Sequence, residues 1–271
     1  MHKAQKKWGQ NFLHDASIIQ AIIDAVPTID SGLYLEIGPG KGALTNLLAE
    51  RDAPLLAYEI DPALFRSLDA QFKNHDTVHL TQGDFLSRDV DADIEAIGAS
   101  NAPVHVVANL PYYITTPIIR RCLALTHIQT LTIMVQDEVA KRLAAVPGTK
   151  DYGALTVLTQ YYATIDYLFT VPPHVFNPAP KVNSAVIQLT IKEERLLDSS
   201  LEERFEAFIH QCFGQKRKTL VNNLLPYYDQ AKPLLVAYFL ENDLNPQSRA
   251  EALHLNHLIK IFQKFDSLEH A

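Results

Sequence analysis

Two stretches of this chain combine residue types and spacings that can do chemistry. The first is Glu36-Ile37-Gly38-Pro39-Gly40-Lys41-Gly42, which follows an apolar run and leads into Ala43-Leu44. Glycines there let the backbone turn sharply and let a ligand approach the ends of strands. Gly38-x-Gly40-x-x-Ala43 fits a dinucleotide fingerprint, and Glu59, 21 residues after Gly38, stands where a ribose-binding acid belongs. The loop alone is compatible with NAD or with S-adenosylmethionine. Glu36 separates them. A carboxylate at the lip of the loop repels a pyrophosphate but suits S-adenosylmethionine, which carries an ammonium and a sulfonium and no phosphate. On that reading Glu59 accepts from both ribose hydroxyls, and Asp84, in Gly83-Asp84-Phe85, accepts from the adenine amine.

The second stretch is Ala108-Asn109-Leu110-Pro111-Tyr112-Tyr113-Ile114-Thr115-Thr116-Pro117. An exocyclic adenine amine is a poor nucleophile because its lone pair is delocalised into the ring, so methyl transfer to it needs that pair aimed. Two acceptors gripping the two N–H bonds do this. The Asn109 side-chain oxygen supplies one and the Leu110 carbonyl the other, while Pro111 fixes the turn and brings no competing N–H. Tyr112 offers a face for the base, a contact worth about 1–3 kcal/mol. A strong general base is unnecessary, because the amine becomes acidic only once it has acquired the methyl; the task is orientation.

Elements of alternating type must position these groups. Apolar, β-branched runs predict strands over Leu33–Ile37, Leu55–Ile60, Val78–Gln82, Val104–Asn109, Leu131–Gln136, Ile165–Thr170 and Ala185–Ile191. Helical spacing falls between them, over Ser17–Val26, Ala43–Arg51, Pro62–Phe72, Pro117–Leu125 and Tyr152–Tyr162. The expectation is an α/β fold with a seven-stranded, doubly wound sheet over residues 1–191. Beyond Ile191 strand signals stop: Leu201–Phe213 is amphipathic, and Ser248 with Glu251 reads as a capping box opening a helix over Arg249–Phe265. Residues 192–271 are therefore expected to form a small all-helical domain.

Length and composition narrow the class. The 271 residues are 47% hydrophobic and 20% charged, enough for a packed core and unlike a disordered chain. No apolar run approaches the length of a membrane span, and the N-terminus has no secretory pattern. Cys122 and Cys212, without metal-ligand spacing, read as reduced buried thiols, which predicts a cytoplasmic protein with no metal site. The net charge of −7 argues against a polyanionic partner only as a sum. Lys3, Lys6 and Lys7 form one acid-free cluster and Lys216, Arg217 and Lys218 another, with Arg120, Arg121 and Lys181 flanking the corner; acid gathers between Asp84 and Glu95. With Trp8 and Phe213 beside the two clusters, the pattern reads as nucleic-acid contact. Lys216–Leu220 is read as a helix start, where cations oppose the macrodipole and intrinsic stability gains nothing from them.

The ordered blocks identify the chain as similar to the ribosomal RNA adenine N6,N6-dimethyltransferases of the KsgA type. They are KKWGQNFL (6–13), EIGPGKG (36–42), NLPYYITTP (109–117), MVQDEVAKRL (134–143), PGTKDYGALTV (147–157), FNPAPKVNSAV (176–186), KRKTLVNNL (216–224) and Arg249-Ala250-Glu251. The resemblance implies a Rossmann-like methyltransferase domain, with Asn11 and Leu13 folding over S-adenosylmethionine and Gly38, Glu59, Asp84 and Asn109 lining it. It further implies that Phe176 faces the target base opposite Tyr112, that residues 192–271 recognise RNA, and that the partner is small-subunit rRNA in the assembling subunit, met by a monomer. Trp8, Tyr113 and Val221 depart from the family's common residues. Three rivals are a large-subunit methyltransferase of the erythromycin-resistance type, an NAD-dependent oxidoreductase and a non-enzymatic assembly factor. The Phe176–Val186 and Lys216–Leu224 blocks, the absence of a hydride-transfer constellation and the intact corner argue against them in turn.

Overall fold

The structure is a computed structural model that describes residues 4–226, 228 and 232–269. A two-residue strand, β1 (Phe12–Leu13), leads into α1 (Ala16–Ala25). Strands and helices then alternate as β2 (Leu33–Ile37), α2 (Thr45–Leu48), β3 (Leu55–Glu59), α3 (Pro62–Phe72), β4 (Val78–Gln82), α4 (Val90–Ala96), β5 (Val104–Asn109), α5 (Thr115–Leu123) and β6 (Ile128–Gln136). They are followed by α6 (Asp137–Leu143), α7 (Ala154–Tyr162), β7 (Ala163–Val171), β8 (Phe176–Asn177) and β9 (Ser184–Ile191), and then by α8 (Ser199–Cys212), α9 (Leu220–Leu224), α10 (Lys232–Glu241) and α11 (Leu255–Glu269). No described helix is long and apolar enough to cross a membrane.

Seven strands form one sheet in the order β4-β3-β2-β5-β6-β9-β7. The pairs from β4 to β6 are parallel, and β9 runs antiparallel to β6. Helices cover both faces of the parallel part, so β2 and β3 are buried at every residue and, apart from Glu36 and Glu59 toward their carboxyl ends, are made of apolar and aromatic residues without alternation. The order reverses at β2, whose neighbours are β3 and β5, and this places the loops after β2 and β5 side by side at the carboxyl edge, where open α/β sheets bind ligands.

Local chemistry sets the element ends. Asp15 Oδ1 accepts from the backbone N–H of Ser17 and Ile18 to open α1, and Asp61 caps α3 with Pro62 in its first turn. Arg51 closes α1, its guanidinium donating to the carbonyls of Ile23, Val26 and Pro27 and to the Tyr34 hydroxyl. The helix expected over Ala43–Arg51 shrinks to α2, because Gly38, Gly40 and Gly42 all hold positive φ and delay right-handed coiling.

The chain divides into two compact units, one comprising Met1–Ala140 with Ile165–Ile191, the other Lys141–Thr164 with Lys192–Ala271. The expected break at 191/192 is thus one of three crossings, and Lys141–Thr164, assigned from sequence to residues 1–191, packs with the helices instead. In the second unit Val157 and Tyr161 of α7 share a core with Phe205, Phe208 and Phe262, and the Tyr161 hydroxyl donates to Glu202. The capping box at Ser248 and Glu251 does not open a long helix. Their carbonyls accept from Leu220 N and Gly148 N at 2.8 and 2.7 Å, and Ala250–Ala252 makes a single 3-10 turn before the chain extends at Leu253 and α11 begins. Lys216–Lys218 also lie ahead of a helix rather than in one, since Thr219 is the N-cap of α9.

Candidate active site

One cavity in the first unit is lined by the N-terminal arm from Trp8 to Leu13, by Glu36 and the loop after β2, by Glu59 and Ile60, by Asn109–Tyr112 and by Phe176. Of the sequence-predicted ligand and catalytic residues, Asn11, Leu13, Glu36, Gly38, Gly40, Glu59, Asn109, Leu110, Pro111, Tyr112 and Phe176 all reach it. Asp84 is not among the lining residues. It is exposed and caps the 3-10 turn Phe85–Ser87, one carboxylate oxygen accepting from Leu86 N at 3.0 Å.

Glu59 ends β3 and braces the loop: one oxygen accepts from Gly40 N at 2.9 Å and the other from Asp61 N at 2.8 Å. Burial raises its pKa, and those two N–H donors oppose the rise. Gly38 and Gly40 sit at φ 71° and 62°, strained for any side chain; at Gly38 the space a Cβ would take is open, which leaves that backbone accessible to a ligand.

Glu36 lies not at the lip of the loop but inside the strand end, 2% exposed, because β2 is central and covered on both faces. Its Oε2 has no hydrogen-bond partner. Burial pushes its carboxyl up to about 8, with the Thr45 hydroxyl opposing and the charge of Glu59 adding to the rise. Glu36 is therefore a neutral acid at pH 7 until a cation is set beside it, and an ammonium there would restore the anion. An orphaned buried carboxyl oxygen and a second carboxylate braced over an open glycine backbone suit a cationic nucleoside such as S-adenosylmethionine, and the one basic residue of the loop, Lys41, is turned to the Phe12 ring, its Nζ 4.5 Å from the centroid.

At the end of β5, the Asn109 Nδ2 donates to the carbonyl of Asn11 at 3.2 Å. A carbonyl can pair only with the NH2 end of an amide, which leaves Oδ1 without a hydrogen-bond partner among the described residues. The Pro111 carbonyl is engaged by Ile114 N and Thr115 Oγ1, whereas no hydrogen bond among the described residues ends on the Leu110 carbonyl. Two unengaged acceptors thus sit one residue apart. The Tyr112 hydroxyl and Ser184 Oγ hydrogen-bond at 2.8 Å, which fixes the ring at the cavity wall, and burial raises the Tyr112 pKa.

β1 and β8 pair antiparallel, Leu13 opposite Phe176, with His14 N donating to Val175 O. This small ladder brings the arm and Phe176 into the same cavity although 163 residues separate them in sequence. Gln5 and Gln10 reach Asp61 Oδ2 at 3.3 and 3.0 Å, while Asp61 Oδ1 caps α3. Sequence reasoning missed Gln10, Asp61 and Ser184. The Asp-Pro helix start signals Asp61 as a cap, but nothing local signals its grip on the arm.

Lys7 is exposed with Nζ 3.9 Å from the centroid of the Trp8 ring. Arg121 donates to the Arg88 carbonyl at 3.1 Å, an internal tie; Arg120 is exposed; Lys181 lines a separate open depression with Gln136, Asp137, Glu138 and Asn183. Lys216, Arg217 and Lys218 are exposed in the second unit. Lys3 and the side chain of Lys6 lie outside the described residues.

The model of the ribosomal RNA adenine dimethylase family matches residues 1–266. The ribosomal RNA small subunit methyltransferase A of Onion yellows phytoplasma is 40% identical over 264 residues, 97% of each chain, and that of Bacillus pumilus is 40% identical over 95% of this chain and 89% of the relative. Among solved structures, the 23S rRNA methyltransferase ErmE superposes with TM-score 0.74 at 29% identity, over 94% of this chain and 100% of that one. A Plasmodium falciparum dimethyladenosine transferase shares the fold with TM-score 0.81 at 22% identity, over 94% and 98%. The match runs through the arm, the glycine loop, the Asn-Leu-Pro-Tyr corner and the helices alike, and the chain belongs to the ribosomal RNA adenine dimethylase family.

Proposed function

We propose that this enzyme dimethylates N6 of two adjacent adenosines near the 3′ end of small-subunit rRNA, late in assembly of that subunit, as a cytoplasmic monomer. The chain is a methyltransferase dependent on S-adenosylmethionine that acts on rRNA adenine. The small-subunit substrate is supported by the names of the relatives. Two free, buried cysteines accord with a reducing compartment.

S-adenosylmethionine, when bound, supplies an electrophilic methyl group. Glu36 would face its ammonium, Glu59 its ribose hydroxyls and Asp84 its adenine amine. The residues of the corner then do the orienting. Asn109 Oδ1 and the Leu110 carbonyl accept from the two N–H bonds of the target amine and aim its lone pair, while Tyr112 and Phe176 flank the base. After the first methyl one N–H remains, so the second transfer runs with one of these hydrogen bonds. Extrusion of the base into such a cleft is cheaper from a loop than from a duplex. Residues 192–271, with Lys216, Arg217 and Lys218, and Lys3, Lys6, Lys7, Arg120 and Lys181 would meet the RNA backbone.

The observation that carries the reading is the Asn109 amide, pinned by its NH2 end to Asn11 with its oxygen unengaged. Asn109→Ala is expected to lose on the order of a hundredfold in methylation rate, as for loss of an oriented transition-state hydrogen bond, with a smaller effect on cofactor affinity. Activity within a few fold of the parent would overturn the orientation mechanism. Methylation of isolated small against large subunits, with the adenines mapped by mass spectrometry, tests the substrate; modification of the large subunit alone would overturn it.

A further inference from the structure

Beside the corner stands an aromatic that the reaction does not use. Tyr113 is 59% exposed, next in the chain to the buried-hydroxyl Tyr112, and it is not part of the cavity wall. More than half of this residue meets solvent, and the ring lies against the N-terminal arm. Gly9, at φ 59°, passes so close that a Cβ there would lie 3.2 Å from Tyr113 Cε1 and 3.5 Å from Pro111 Cβ. Trp8, next to Gly9, lines the cavity mouth and carries the Lys7 ammonium over its ring. Exposed ring, cation and cavity are therefore contiguous, and no acid lies between His2 and His14.

We propose that Tyr113 is a stacking platform for the nucleotide that flanks the target adenosine, and that the Lys7–Trp8 pair meets the phosphate of that nucleotide. This rests on the reading above that an RNA adenosine enters the cavity. The chemistry is that of single-stranded nucleic-acid sites: a flat aromatic face takes any base, and a neighbouring cation follows the backbone. Pairing by Tyr112 and Phe176 accounts for the extruded base, and without a further surface its neighbour would be left unstacked at the rim. Gly9 is the positioning residue, since any side chain at φ 59° would be strained and would push the Tyr113 ring away.

The chain contains a single tryptophan, so its emission reports directly on this rim. Titration of the intact protein with a short single-stranded oligoribonucleotide containing adjacent adenosines is expected to change Trp8 emission, and the same oligomer abasic at the position next to the target adenosine is expected to bind about tenfold more weakly. Tyr113→Ala should raise KM for rRNA by roughly tenfold while cofactor affinity and melting temperature hold, and Tyr113→Phe should restore the parent KM because stacking needs the ring and not the hydroxyl. An unchanged KM in Tyr113→Ala, or equal affinity for the intact and abasic oligomers, would overturn the proposal. Equal binding of oligomers with and without adenosine at the target position would instead overturn the reading that an adenosine enters the cavity, and the platform with it.

Discussion

Asn109 and Glu36 are the residues on which the site turns, and each is set by what lies around it rather than by its own type. The Asn11 carbonyl engages the NH2 end of the Asn109 amide and leaves its oxygen as an acceptor. Burial decides the protonation of Glu36, whose carboxyl is pushed from its ordinary 4.5 to about 8. The folded protein then holds this proton through a pH range in which an unfolded chain has released it, so stability falls as pH rises from about 4.5 to about 8. Glu36→Gln removes that dependence. Ligand-free Glu36→Gln should melt close to the parent near pH 5 and above it by pH 8, while its affinity for S-adenosylmethionine falls; thermal scans across that range with calorimetric titration of the cofactor check both. A variant that melted below the parent at pH 8 would contradict the burial argument.

At the scale of elements, the arm and the glycine loop are held by one short network. Asp61 caps α3, receives Gln10, and gives its own N–H to Glu59, which in turn holds Gly40. Asp61→Ala is expected to cost about 1–2 kcal/mol for the lost cap, and to weaken cofactor binding several-fold because the arm loses its anchor. Urea unfolding measures the first and equilibrium dialysis with labelled cofactor the second; loss of stability with no change in affinity would show that the arm is held without Asp61. The β1–β8 ladder works in the same way from the other side, fixing Leu13 opposite Phe176. Neither device has a sequence signature, because a two-residue strand carries no periodicity.

For the whole molecule, the sum of −7 conceals local bases that are exposed and available to a polyanion. Lys216, Arg217 and Lys218 occupy the turn before α9, and their charges contribute nothing there to capping, which Thr219 supplies. Replacing all three with Gln should weaken rRNA binding and reduce the slope of log affinity against log salt by about 2, given roughly 0.7 per phosphate contact on single strands, with cofactor affinity unchanged. Filter binding at several salt concentrations measures the slope, and an unaltered slope would remove this turn from the RNA contact. Arg121 is expected to add little, since it is committed to the Arg88 carbonyl.

Sequence alone determined where the seven sheet strands fall along the chain, the glycine loop after β2 and the proline turn after β5. Those depend on side-chain period, on positive φ and on proline, all of which act within a few residues. It did not determine that Asn11 orients Asn109, that Glu59 braces the loop whose ligand it was expected to bind, or that Glu36 is buried and neutral. It also set Lys141–Thr164 with residues 1–191 rather than with the helices and drew a capping box at Ser248 and Glu251 where only a 3-10 turn forms, their carbonyls tied to Leu220 and Gly148. Each of these is a pairing between residues far apart in the chain, and only the closed fold, by deciding which groups lose water and which neighbours replace it, could assign them.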